Sequence, residues 1–92
     1  MFPQFVIFTL KKDNCSVSEV IRTVKNFAAS NGYNVTYELF GVNAGVISVF
    51  DDFETFIIDI EITKENNFEV VLSVRCFSCP VDLVEKMKKL FN

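Results

Sequence analysis

Ninety-two residues, half of them hydrophobic and eleven of them Phe, are material for one small domain, 1–92, and no second one. A net charge of −3 leaves no basic surplus to neutralise phosphates, which argues against nucleic acid, and no apolar run approaches the ~20 residues of a membrane span. The chain has no His, so the Ser-His and Cys-His nucleophile pairs and the commonest metal ligand are excluded. Met1-Phe2-Pro3 opens into a short apolar run without a basic region or a cleavage site, which reads as a cytoplasmic chain whose three Cys stay reduced.

Gln4 to Leu10, "QFVIFTL", is aromatic and β-branched and predicts a strand buried on both faces, followed by the polar connection "KKDNC". "SVSE" then starts a helix, since Ser16 and Glu19 have capping-box spacing. Val17, Val20, Ile21, Val24, Phe27 and Ala28 make its apolar stripe, and "SNG" ends it, with Gly32 able to adopt a left-handed conformation. From Tyr33 to Phe40 the period becomes two, with Val35, Tyr37 and Leu39 against Thr36, Glu38 and Phe40. "GVNAG" is a glycine-bounded turn, Val46 to Phe50 a third strand and "DDFE" an acidic turn. Thr55 to Thr63 is a fourth strand with Phe56, Ile58, Ile60 and Ile62 on one face and Ile57, Asp59 and Glu61 on the other. After "KENN", Phe68 to Phe77 sets Phe68, Val70, Leu72, Val74 and Cys76 against Glu69, Val71, Ser73, Arg75 and Phe77. Pro80 suits the first position of a closing helix whose stripe is Leu83, Val84, Met87, Leu90 and Phe91.

The order β-α-β-β-β-β-α, with short turns joining the last four strands, predicts an α+β two-layer sandwich: an antiparallel sheet of about five strands with two helices on one face. The second face then carries Phe40, Ile57, Val71 and Phe77 among Glu38, Asp59, Glu61 and Arg75. A face of that mixture is too apolar to stay wet and is expected to pack on a second copy of the chain or on another protein. Its candidate interface residues are Phe40, Ile57, Asp59, Glu61, Val71, Arg75 and Phe77. Arg75 can pair with Asp59 or Glu61 across neighbouring strands, as surface strands also often do.

Cys76-Phe77-Ser78-Cys79 is a C-x-x-C where a strand ends and a helix begins. A thiol at a helix N-terminus faces unpaired amides and ionises more easily, which would suit dithiol redox chemistry. The plainer reading is that Cys76 is a small core residue and Cys79 an N-cap. Three Cys without His fall short of a standard zinc site, so no metal and no cofactor is expected. Asp51 and Asp52 are adjacent and point apart on an extended chain, and with Glu54 they make a solvated acidic turn. "GVNAG" leads into a strand and lacks a following Lys or Ser, so it is no phosphate loop.

"GVNAGVISVFDDFETFI" and "VRCFSCPVDLVEKMKKLF" resemble two segments of the small prokaryotic S-adenosylmethionine decarboxylases, which use a self-generated pyruvoyl group. The first is similar to that family's glycine turn, apolar strand and self-cleavage segment, the second to its Phe-Thr-Cys-Gly strand end and second helix. The resemblance implies a dimer of stacked sheets with helices outside, and a proton-donor counterpart at Cys79, flanked here by Ser78 and Pro80. The chemistry departs. Asp51-Asp52 stands where the family has its Glu-Ser cleavage point, Ile57 where it has its processing His, and the hairpin around Lys64 to Asn67 is longer. Such a relative cannot form pyruvoyl.

The expectation is therefore a non-catalytic interaction, inhibitory or regulatory module acting as a homodimer or with a protein partner, of the kind a phage or mobile element encodes, with no catalytic residue beyond Cys79 as a candidate. A decarboxylase-like small-molecule binder or enzyme is the alternative, and a thiol-redox protein using Cys76 and Cys79 the second alternative.

Overall fold

The computed structural model describes residues 4–91; the opening Met1-Phe2-Pro3 lies outside the described residues, as do the side chains of Gln4 and of Phe56, which was expected on the helix-covered face. Seven elements follow in the order β1 (Gln4–Asp13), α1 (Val17–Ser30), β2 (Asn34–Leu39), β3 (Ala44–Phe50), β4 (Phe56–Lys64), β5 (Glu69–Cys79) and α2 (Val81–Leu90). The strands form one antiparallel sheet in the order β1-β5-β4-β3-β2, so the expected α+β sandwich of five strands and two helices is what the chain adopts. Because β1 pairs with β5 while β2 lies at the far edge, α1 has to carry the chain across the sheet. Its 14 residues span about 21 Å, and five strands need about 19 Å between the outermost pair.

Local chemistry sets the ends of α1. The Ser16 hydroxyl accepts from the Glu19 N–H at 3.1 Å. At the other end Tyr33 N–H donates to Ala28 O at 2.9 Å and Gly32 N–H to Ala29 O at 3.1 Å, with Gly32 at φ +81°. That pair of bonds is a Schellman closure, which needs a residue without a Cβ penalty at positive φ.

The register assigns every strand residue to a face. Three rows run across all five strands beneath the helices: Val6-Cys76-Ile58-Val49-Val35, Phe8-Val74-Ile60-Ile47-Tyr37 and Leu10-Leu72-Ile62-Gly45-Leu39. Their central members are buried against Val17, Val20, Ile21, Val24 and Ala28 of α1 and Leu83, Val84 and Met87 of α2. Gly45 is needed in the third row. A Cβ there would stand 3.1 Å from Ile21 Cδ1 and 3.2 Å from the Glu38 carbonyl, so only glycine lets the helix settle this close.

Three expectations are corrected. β1 is not buried on both faces: it is an edge strand, it runs on through Lys11, Lys12 and Asp13, and Phe5 and Ile7 are 59% and 61% exposed. Phe68 does not begin the apolar face of β5; it precedes the strand and is exposed, its carbonyl held by the Asn14 N–H at 2.7 Å. Ile57 does not belong to the second face. Between Val49-Phe50 and their partners Ile58 and Phe56, β4 carries one extra residue, and that residue is Ile57. A bulge of this kind re-aims the side chain, and Ile57 is 4% exposed inside the core.

Candidate functional site

The face of the sheet away from the helices is also read from the register. Ile7-Arg75-Asp59-Ser48-Thr36 form one row, Thr9-Ser73-Glu61-Val46-Glu38 the next and Lys11-Val71-Thr63-Ala44 a third. Arg75 sits on β5, one strand in from the β1 edge. Its guanidinium pairs with the Asp59 carboxylate and reaches Glu61 Oε1 at 3.4 Å. Beside it, at the β1 side, Phe5 and Phe77 stack in a tilted arrangement with centroids 5.6 Å apart. Phe77 is 41% exposed, so Phe5, Ile7 and Phe77 make an apolar corner on a face of otherwise mixed character.

Of the residues expected at an interface, Asp59, Glu61, Val71, Arg75 and Phe77 do share this face. Ile57 does not, for the reason given above. Phe40 is exposed, but it lies past the end of β2, its N–H bound to Ala44 O, at the opposite end of the rows from Phe77. Phe5 and Ile7 were missed because their strand was read as central. The signal was present in the alternation of β1, whose Val6, Phe8 and Leu10 pack on the core while Phe5 and Ile7 point the other way.

Cys76 is the small core residue that was expected, and Cys79 differs from expectation in a related way. Val6 pairs with Cys76 and Gln4 with Cys79, so β5 also holds one extra residue, between them. Three positions along a strand normally reverse the face; the bulge restores it, and both side chains lie in the core at 1% exposure. Cys79 is thus the last residue of β5 and not the helix cap. Pro80 occupies the cap position, and no side chain caps α2. Cys79 Sγ donates to the carbonyl of Ile57 at 3.7 Å, tying the two bulges together.

The two thiols also interact with each other. Their hydrogen bond lowers the Cys76 thiol from its ordinary value, against the effect of burial and with help from Lys88. The same bond, and then burial, pushes Cys79 well up. Cys79 is therefore a protonated thiol at neutral pH and not the activated one expected at a helix N-terminus. It borders a shallow pocket of about 190 Å³ between β1 and α2, lined also by Val6, Val84, Glu85 and Lys88. Tyr33 belongs to the same end of the molecule: burial first, then the negative charges of Asp82 and Asp51, raise its phenol.

The acidic turn is structural. Asp51 accepts the N–H groups of Phe53 and Thr55, both at 2.9 Å, while Asp52 and Glu54 are exposed. Among the described residues no group of three or more Cys, Asp and Glu comes together to hold a metal, and no helix is long and apolar enough to cross a membrane. Comparison with known protein families, with curated proteins and with solved structures finds no match.

Proposed function

We propose that this chain is a non-catalytic interaction module that works through the open face of its sheet, first with a second copy of itself and through it on a protein partner that it inhibits or regulates. The observation that carries this reading is the apolar corner of Phe5, Ile7 and Phe77 beside the Arg75-Asp59-Glu61 cluster. Exposed aromatic and branched side chains on a sheet face mark contact surfaces. An Arg flanked by aromatics is the composition of an interface centre. The face measures on the order of 24 Å by 23 Å, about two thirds of the roughly 800 Å² per partner of a standard interface.

Sedimentation velocity over a concentration series tests it. The expected result is a concentration-dependent dimer that Ile7→Asp or Phe77→Asp converts to monomer without loss of fold. A wild-type chain that stays monomeric at every concentration contradicts the proposal.

The decarboxylase-like reading draws on one observation, the place of Cys79 on the wall of the pocket between β1 and α2. Calorimetry with S-adenosylmethionine decides it: micromolar binding overturns the non-catalytic conclusion, and no heat supports it.

A further inference from the structure

The two edges of the sheet are protected differently. β1 carries Lys11 and Lys12 and lies against a bulge, devices that discourage another strand from pairing. β2, Asn34-Val-Thr-Tyr-Glu-Leu39, has none of them. It pairs with β3 in unbroken register, contains no Pro and no Lys, and is exposed along nearly its whole length. Among the described residues no strand pairs with its outer side. An unprotected edge offers a row of free backbone donors and acceptors.

Next to that edge α1 leaves a groove of about 220 Å³ on the helix side of the sheet. Its apolar surface comes from Ile21, Tyr37 and Leu39, and its charged surface from Arg22 and Lys25, whose ammonium stands 4.7 Å over the Tyr37 ring. No acidic side chain lines it. In a chain of net charge −3 this is a locally basic slot.

From these two observations we infer that β2 and the α1 groove form a second binding surface, separate from the open face, for an extended segment of a partner protein in which every second side chain is apolar and acidic by turns. The segment adds to β2 as a sixth strand. Its backbone bonds the free edge, and every second side chain turns to the groove, since successive strand residues face opposite sides. Apolar groups meet Tyr37 and Leu39, and carboxylates meet Arg22 and Lys25. A second copy of the chain is the poorer occupant, because pairing β2 with β2 brings the Arg22 and Lys25 side chains of both helices to the same junction, like charge against like.

The probe is an end-capped, fluorescent octapeptide of sequence Val-Thr-Glu-Thr-Val-Thr-Glu-Thr (the Val-Glu peptide), with its counterpart carrying Lys in place of Glu (the Val-Lys peptide) and an alternately N-methylated Val-Glu peptide as controls. Fluorescence anisotropy and amide NMR shifts are read together. Saturable binding of the Val-Glu peptide is expected, with shifts at residues 34–39 and 18–25. The Val-Lys and N-methylated peptides bind at least tenfold more weakly. Arg22→Glu combined with Lys25→Glu, both at exposed positions and checked for fold by circular dichroism, weakens the Val-Glu peptide at least tenfold and strengthens the Val-Lys peptide. Equal binding of the Glu and Lys peptides overturns the inference. So do shifts confined to the Ile7-Arg75 row, absence of saturation up to millimolar peptide, or dimerisation through β2 that persists in the Phe77→Asp variant.

Discussion

The two faces of this sheet are made by the same strands, yet they behave as different materials. Beneath the helices, Ile47, Ile58, Ile60, Ile62, Leu72 and Val74 are almost wholly removed from water. On the other side the same register sets Arg75, Asp59, Glu61, Thr36 and Ser73 in rows, with Phe5, Ile7 and Phe77 at one corner. An isoleucine at position 60 is core and an isoleucine at position 7 is surface. What separates them is not residue type but which side of the pleat each falls on and whether a helix covers it. Hydrophobicity in a strand therefore locates cores and contact surfaces alike, and only the covering element tells them apart.

The largest test of that contrast is truncation on each side. Ile60→Ala, at a site with 0% exposure, is expected to lower stability by about 2–5 kcal/mol. Ile7→Ala at low protein concentration should change it by less than about 0.5 kcal/mol. Denaturant unfolding monitored by circular dichroism measures both, and equal losses would break the distinction between the faces. A second test sharpens how tightly the covered face is packed. Gly45→Ala puts a methyl against Ile21 and the Glu38 carbonyl and should cost about 1–3 kcal/mol, although alanine is ordinarily the better strand residue. An unchanged midpoint would mean that α1 has room to move away.

A third prediction concerns pH and the buried thiols. The folded pKa of Cys79 lies above its unfolded value, so its contribution is full below about pH 8.5 and is lost as pH rises above it, by up to about 1.4 kcal/mol per pH unit. Cys76 is lowered, so its contribution has the opposite sign: it is present above about pH 8.5 and lost as pH falls through its folded value. Stability should therefore pass through a maximum near pH 8.5, and Cys79→Ala should flatten the alkaline limb. Urea midpoints from pH 7 to pH 10 follow this, and a limb that is as steep in the variant assigns it to other groups. The smallest effect belongs to the open face. Arg75 is about half exposed, so Arg75→Ala should change monomer stability by only ~0.2–1 kcal/mol in the same unfolding assay, while weakening any dimer seen by sedimentation. A loss of several kcal/mol in the monomer would make Arg75 part of the fold instead of the surface.

Much of the architecture was legible along the chain. The alternation from Ile58 to Thr63 and from Val70 to Phe77, the Ser16-Glu19 spacing and the glycine at 32 each encode a local preference, and the structure realises each of them. The interface candidates were legible to the same depth, because strict alternation predicts the side of Asp59, Glu61, Val71, Arg75 and Phe77. Alternation fails where a strand carries an extra residue. Ile57 and Cys79 were misread for that single reason, and nothing in the local residues marks a bulge.

By itself, then, the sequence determined the number and kind of elements, the ends of α1, the apolar period of the strands between their bulges and the absence of histidine chemistry, because these depend on neighbours within a few positions. Tertiary structure alone decided that β1 is an edge, that β2 is left open beside α1, that Ile57 turns inward and that Cys79 is buried at a strand end. Each of those is a pairing between segments far apart in the chain, and a pairing is set by the combined burial of both partners, which neither carries in its own residues.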